Sequence, residues 1–504
     1  MQDISFGIND HGEKYIPVWN LICAGRAAEG LREDWREQLK EVQKEIGFEY
    51  IRFHGIFHED MMIYNEDKDG KVYYNWQYSD KLIDFLLEHN LHPIVELGFM
   101  PCKLATKETY CFWWKGNVSP PKDYDRWADL VREFAIHCIN RYGLEEVLKW
   151  YFEVWNEPDG AYQGFWSGTQ EEYFTLYEYS AKALKSIHEG LRVGGPASTP
   201  ATLEGVAPWI EELMDYCEKR DLPIDFISNH PYPMHWPKDE NGKHINKFKN
   251  KYSLSTDLTW MKSFISKSAY KNAEIHLTEW NSSPDDRDLV HDTAFMAPYI
   301  IYNNVANLGM TDSLGFWAFT DVFEENGAGN SIFHGGFGLI NAQGIKKPSY
   351  YGYWFLSKLG NEKLVAGEDY IVCRRGDTIQ VLMWNYCHYK HEYCEGDVSG
   401  MSYFNRYSIF EEKDDRIFNI SLEDMKGDYK ITDYYLDRDN GAAFEVWLQH
   451  GAIPDPDKEE LDFLKRFTGP GMKSSIEKEL KCYKRTLSLK PHSVHLIQIQ
   501  KIYR

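Results

Sequence analysis

The chain has 504 residues, 43% hydrophobic and 15% aromatic, enough to bury one large core and a smaller one. With 56 basic against 78 acidic residues the formal charge is -22, which disfavours nucleic acid or any other polyanion as a partner. Nine cysteines are scattered without a Cys-x-x-Cys pair, no stretch approaches the ~18 apolar residues of a membrane span, and the N-terminus MQDISFGINDHGEKY has no apolar signal-peptide core. A cytoplasmic protein with reduced thiols is expected, a secreted form shorn of its signal being the alternative.

The first two thirds alternate short apolar runs with amphipathic, charged ones. WNLICAG (19–25) precedes LREDWREQLKEVQKEIG, in which Leu31, Trp35, Leu39 and Val42 keep helical spacing. YIRFHG (50–55), a helix around DKLIDFLLEHN (80–90) and HPIVELGFM (92–100) come next. A helix at 125–143 leads to WYFEVW, and a helix at 171–188 leads to RVGGPAS (192–198). DFISNH (225–230), EIHLTEW (274–280) and LGFWAF (314–319) complete eight strand candidates separated by helical patterns. This mixed α/β pattern predicts a closed (β/α)₈ TIM barrel with its active residues at the strands' C-terminal ends. An open doubly wound sheet is the rival, but no G-x-G-x-x-G follows the first strand.

After PSYYGYWFLSKLG (348–360) the pattern changes. YIVCRRG, TIQVLMWNY, YKITDYYL and SVHLIQIQ alternate between turns, which predicts a C-terminal antiparallel β-sandwich. The expected division is a catalytic barrel over 15–360 and a sandwich over 361–504, joined by an N-terminal strand from 1–14. Residues 440–480 are charged and partly helical, with no assigned place in either.

KWYFEVWNEP (149–158) sets two glutamates in a run built for burial. Strand alternation predicts Glu153, Trp155 and Glu157 on one face and Phe152, Val154 and Asn156 on the other. In EIHLTEW the same rule puts Ile275, Leu277 and Glu279 on one face. A buried carboxylate is costly unless paired, and either glutamate alone is explained by a structural ion pair. As the ends of the fourth and seventh barrel strands, however, Glu157 and Glu279 face each other across the mouth. Two such carboxyls are what glycoside hydrolysis requires, one protonated to donate to the leaving oxygen and one ionised to attack the anomeric carbon. The proton on Glu157 is expected to be held chiefly by the charge of Glu279. Asn156 is placed to bond a sugar hydroxyl beside the reacting centre. Arg52 and His54 share a face, so Arg52 can keep Glu279 ionised, while Glu96 and Glu153 read as interior carboxylates in ion pairs. His54 and His58 have the i,i+4 spacing of a ligand pair on a helix, but His54 ends a strand and no third ligand is near; neither a metal nor a cofactor is expected.

Asn-Glu-Pro after one aromatic strand and Thr-Glu-Trp after a later one make the chain resemble the retaining (β/α)₈-barrel glycosidases. It resembles most closely glycoside hydrolase family 39, the β-xylosidase and α-L-iduronidase family. The matching stretches include AGRAAEGLREDW (24–35), YIRFHGIFHEDM (50–61), FWWKGNVSPP (112–121) and WYFEVWNEPD (150–159). DFISNHPYP (225–233), HLTEWNSS (276–283), FWAFTDVFEE (316–325) and FHGGFGL (333–339) follow in the family's order, over almost the whole barrel. The resemblance implies Glu157 as general acid/base and Glu279 as nucleophile. It also implies sugar contacts from His54, Trp113, Asn156, His230, Tyr232, Trp317 and Glu324, with the register open over 112–114 and between Glu324 and Glu325. The implied activity is that of a retaining exo-glycosidase, a β-D-xylosidase releasing xylose from the non-reducing ends of xylo-oligosaccharides. An α-L-iduronidase-like or α-L-arabinofuranosidase activity is the alternative within the family, although the matching motifs offer no cation for an acidic sugar beyond Arg52 and Lys115. A carbohydrate-binding barrel without turnover is the alternative outside it. The expected partner is an oligosaccharide or glycoside substrate, with neither nucleic acid nor membrane, and a homo-oligomer is left open.

Overall fold

The computed structural model describes residues 2–160, 164–199, 209–235, 245–323 and 325–503. Eight parallel strands close into a barrel: β1 (Leu21–Arg26), β2 (Tyr50–His54), β3 (His92–Glu96), β4 (Tyr151–Glu153), β5 (Arg192–Ser198), β6 (Phe226–Asn229), β7 (Glu274–Trp280) and β8 (Ser313–Phe316). These are the eight runs picked out by their sequence pattern. Each is followed by a helix packed outside the barrel: α1 (Glu33–Glu45), α2 (Gln77–Glu88), α3 (Tyr124–Tyr142), α4 (Gln170–Ile187), α5 (Trp209–Lys219), α6 (Ser253–Ile265), α7 (Met296–Ala306) and α8 (Pro348–Ser357).

Local chemistry sets several helix ends. The Asp123 side chain accepts from the backbone N–H groups of Asp125 and Arg126 to start α3, and Gly143 at φ 88 ends it. Thr169 and Glu172 form a reciprocal capping box at α4. In α1 the residues Trp35, Leu39 and Val42 face inward at the spacing read from the sequence.

Inside the barrel, Leu21, Ile94, Tyr151 and Phe226 make an apolar layer at the N-terminal end. Toward the C-terminal end the filling becomes ionic, with Arg52, Glu96, Glu153 and Thr278 all fully buried. Here strict alternation fails, and two facial assignments are corrected. On β4, Trp155 does not share the face of Glu153; it packs outside the barrel against Phe99, Trp127 and Trp166. The ladder stops at Glu153, and the backbone enters the left-handed region at Trp155 (φ 71) and Glu157 (φ 39). Asn156 and Glu157 therefore both turn inward. On β7, the inward residue is Thr278, whereas Leu277 joins the outer core. The pairing register with β8 shifts between Leu277 and Trp280, and that irregularity re-aims Glu279 into the barrel as well. Similar shifts lie between Cys23 and Arg26 on β1 and between Pro196 and Ser198 on β5. All three fall toward the C-terminal mouth.

Beyond the barrel, a seven-stranded sheet runs in the order Glu13–Lys14, Glu362–Gly367, Tyr370–Arg375, Thr378–Asn385, Ser493–Ile502, Gly427–Leu436, Gly471–Leu480. A three-stranded sheet of Gln2–Gly7, Arg416–Glu423 and Tyr483–Leu489 faces it. Their shared core includes Ile4, Phe6, Phe418 and Ile420 from one sheet and Val381, Ile431, Ile497 and Ile499 from the other. The N-terminal segment thus gives a strand to each sheet, and Gln2–Gly7 pairs in parallel with Arg416–Glu423, a departure from the antiparallel rule.

The segment 440–480 contributes helices Ala443–Gln449 and Lys458–Phe467 and then an edge strand. Phe444 and Trp447 pack on Ile332, Phe333 and Ile345 from the loop after β8. A buried charge cluster reinforces this junction. Lys347 Nζ lies 2.9 Å from Asp292 and 2.7 Å from Asp321, and Arg406 Nη1 lies 2.7 Å from Asp292. The nine cysteines are free thiols, and no described helix is long and apolar enough to cross a membrane.

Candidate active site

Arg52, at the centre of the barrel mouth, has no exposed surface. Its Nε lies 2.5 Å from Glu153 Oε2, Nη1 2.7 Å from Glu279 Oε1, and Nη2 2.8 Å from Asn156 Oδ1 and 3.1 Å from Glu96 Oε2. A buried guanidinium is tolerated because these acceptors replace its hydration, and its rigid planar fork fixes where each of them sits. Glu96 also meets His54 Nδ1 at 2.5 Å, so the opposite ring nitrogen of His54 is directed to 3.7 Å from Glu279 Oε1.

The two predicted carboxyls have unlike surroundings. Glu279 Oε1 accepts from Arg52, and Oε2 accepts from the Tyr232 hydroxyl at 3.1 Å. Glu157 Oε1 instead lies 2.8 Å from His230 Nδ1. Burial pushes Glu157 well above the usual carboxylate range, and the charges of Glu279, Asp159 and Glu325 add to it. Desolvation therefore leads and the Glu279 charge comes second, the reverse of the order expected from sequence, because Glu157 is only 6% exposed. Burial also raises Glu279, but Arg52 and His54 pull it back. Of the two, Glu279, bonded to a cation and a hydroxyl, is the member that favours ionisation.

One carboxylate oxygen of Glu157, one of Glu279 and a ring nitrogen of His230 all lie within 4.8 Å of one another. Among the described residues this is the set close enough to share a cation, although each member already has a protein partner. His58 is engaged elsewhere, with Nδ1 2.7 Å from Asp60 and its ring edge-on to Trp114.

Aromatic rings wall one side. Trp317 is buried with its ring 4.7 Å from that of His54 and 5.6 Å from Phe323, and its carbonyl accepts from Asn281 Nδ2 at 2.6 Å. Of the run 112–114, Phe112 approaches His54, at 6.0 Å between ring centres, and Trp114 stacks on Phe112. Trp113 is 58% exposed, beneath the guanidinium of Arg26. The backbone is left-handed at Phe112 and Lys115, and of the two tryptophans between them Trp113 turns outward while Trp114 stays buried. Glu324 lies outside the described residues. Its neighbour Glu325 is buried and near enough for its charge to raise Glu157 and Tyr232. Thr278 escaped the sequence reading because alternation from Glu279 sends it outward; its Oγ1 in fact donates to Glu153 Oε1 at 2.7 Å and meets His230 Nε2 at 3.1 Å.

The profile of glycosyl hydrolases family 39 matches residues 3–482. A beta-xylosidase from Caldicellulosiruptor saccharolyticus is 42% identical over 350 residues, 68% of this chain and 69% of that one. One from Geobacillus stearothermophilus is 34% identical over 461 residues, 90% of this chain and 86% of that one. The crystal structure of a monomeric beta-xylosidase from Caulobacter crescentus CB15 superposes with a TM-score of 0.88 at 30% identity, covering 100% of both chains. Barrel, accompanying sheets and near-complete profile match together place the chain in glycoside hydrolase family 39.

Proposed function

We propose that the protein is a retaining, exo-acting β-D-xylosidase in which Glu157 is the general acid/base and Glu279 the nucleophile. The observation that carries this reading is a pair of carboxyls with oxygens within 4.8 Å, one held by Arg52 and Tyr232 and the other facing only a buried imidazole among its hydrogen-bond partners described above. Direct attack on the anomeric carbon calls for carboxyls about 5–5.5 Å apart, whereas an intervening water calls for about 6.5–9.5 Å. The similarity to two beta-xylosidases supports xylosides as the substrate class.

In the first step Glu157 gives its proton to the glycosidic oxygen as the bond from that oxygen to C1 breaks and Glu279 bonds to C1. In the second, the Glu157 carboxylate takes a proton from water, the water oxygen bonds to C1, and the ester to Glu279 breaks. Arg52 keeps Glu279 anionic before attack and stabilises it as a leaving group. Because Asn156 Oδ1 accepts from Arg52, its amide NH₂ serves as donor to the hydroxyl beside C1. Trp317, Phe112 and Tyr232 give a terminal sugar an apolar wall and a polar rim, while His54, His230 and Glu324 complete the proposed sugar-contacting set and Trp113 stands farther out on the rim.

A panel of 4-nitrophenyl glycosides tests the assignment. The β-D-xyloside should be turned over with kcat/KM well above that for the α-L-arabinofuranoside and an α-L-iduronide. A preference for either of those, or no turnover at all, would contradict it.

A further inference from the structure

Thr278 is fully buried one residue before Glu279, and its hydroxyl has a single hydrogen between two groups. Glu153 Oε1 lies 2.7 Å away and His230 Nε2 3.1 Å away. The other oxygen of Glu153 is salt-bridged to Arg52 at 2.5 Å, so Glu153 is a carboxylate and can only accept. Thr278 therefore donates to Glu153, a short charge-assisted bond, and offers His230 nothing but lone pairs. The 3.1 Å contact then requires a hydrogen on Nε2. Burial, reinforced by Arg52 and His54, holds the His230 pKa well below its ordinary value, so the ring is neutral and carries one hydrogen. Its Nδ1 is consequently an acceptor, and the 2.8 Å contact to Glu157 Oε1 closes when that oxygen bears the proton.

We propose that Thr278 is a positioning residue that fixes the Nε2–H tautomer of His230 and, through it, keeps the acid proton on Glu157 in the free enzyme. The chain has one polarity: Glu157 donates to His230, His230 to Thr278, and Thr278 to Glu153, which Arg52 anchors. The proposal rests on Glu157 being the acid/base. Ionised Glu157 would face the lone pair of Nδ1, so the chain favours the neutral acid before substrate arrives and the stronger base in the second step. Among the described residues, the charged or titratable groups facing the chain include Glu279, Asp159, Glu325 and Arg52 beside Glu157, and Arg52, His54 and Glu279 (3.6 Å) beside His230. Tyr232, the Cys23 thiol, which donates to the Thr278 carbonyl, and Tyr173 near Glu153 also border it. Removing the Thr278 hydroxyl leaves all of these in place.

The test is kcat/KM against pH for phenyl β-D-xyloside, a poor leaving group, with wild type, Thr278→Val and Thr278→Ser. This ratio reports the free enzyme. In Thr278→Val the ring loses its acceptor at Nε2 and takes the Nδ1–H tautomer, which donates to the Glu157 carboxylate. The alkaline limb should move down by about one pH unit, the scale of one strong hydrogen bond switched from the acid to its anion. Thr278→Ser should keep the limb in place. A purely structural role would lower kcat/KM at every pH and leave the limb where it was; that result, or a serine variant that shifts as far as valine, overturns the proposal. Thr278→Ala is the second variant lacking the hydroxyl, should valine fail to fold. Ring ¹⁵N NMR of histidine-labelled protein, with His230 assigned by difference against His230→Asn, should show Nε2 protonated in wild type; Nδ1 protonation there would equally overturn it. Glu157→Ala separates the two levels. If the alkaline limb survives in Glu157→Ala, the acid/base assignment falls and the role of Thr278 with it; if it vanishes there yet stays put in Thr278→Val, only the role of Thr278 falls.

Discussion

Arg52 Nη1 donates to Glu279 Oε1 across 2.7 Å from a guanidinium wholly buried in the barrel. The same cation also bonds Glu153 and Asn156, so one side chain holds the β4 and β7 ends of the site in a fixed relation. Removing it strands three carboxylates, Glu96, Glu153 and Glu279, in a low dielectric. Arg52→Met is therefore expected to lose about 3–5 kcal/mol of stability, the range for breaking a buried pair by deleting one partner, together with nearly all turnover. Urea unfolding checks it; a loss below about 1 kcal/mol, the scale of an exposed pair, would contradict it.

The coupling between the two carboxyls has a sign. The charge of Glu279 raises Glu157, after burial, so Glu279→Gln should lower the pKa of Glu157 while burial still keeps it above the ordinary carboxylate value. Difference infrared spectroscopy of the protonated carboxyl, assigned with Glu157→Gln, follows that titration. A Glu157 titration unchanged in Glu279→Gln would dissociate the pair.

Stability at low pH should be sensitive to Asp292. Burial pushes this carboxyl up, but Lys347 and Arg406 more than offset it and hold it at about 2, against an ordinary 3.8. Its folded pKa is thus depressed, so a stabilisation of about 2 kcal/mol is fully present above pH about 4 and is lost as pH falls toward about 2. Asp292→Asn should be less stable than wild type at neutral pH, and its stability should change less over that acid window. Parallel unfolding curves for the two proteins across the window would rule out the linkage.

If the rings of Trp317 and Phe112 close round one terminal sugar, xylo-oligosaccharides should lose single xylose units from one end. Xylan incubated with the enzyme should accordingly yield xylose with little early fall in viscosity. Rapid thinning of the solution would indicate internal cleavage and exclude the exo reading.

The barrel was legible because its strands are short apolar runs set between helices such as α1, whose Trp35, Leu39 and Val42 repeat at helical spacing. The site was legible in its residue types but less so in its facing. Period-two alternation holds along β2, where Arg52 and His54 both reach the centre, because that strand stays regular to its end. It fails at Trp155 and Thr278, where a left-handed backbone or a register shift adds a turn that no side-chain pattern encodes. Phe112 rather than Trp113 reaches His54 for the same reason. The parallel pairing of Gln2–Gly7 with Arg416–Glu423 joins residues far apart in the chain, which local patterning cannot reveal.

Attack by Glu279 on the anomeric carbon, with Glu157 serving both steps, requires two inversions and hence net retention. Proton NMR of the sugar first formed from 4-nitrophenyl β-D-xyloside, recorded before mutarotation, tests this most directly. The anomeric signal of β-xylose should rise first, with α-xylose following only at the rate of spontaneous mutarotation. First appearance of α-xylose would contradict a covalent intermediate on Glu279 and require a water between the two carboxyls instead.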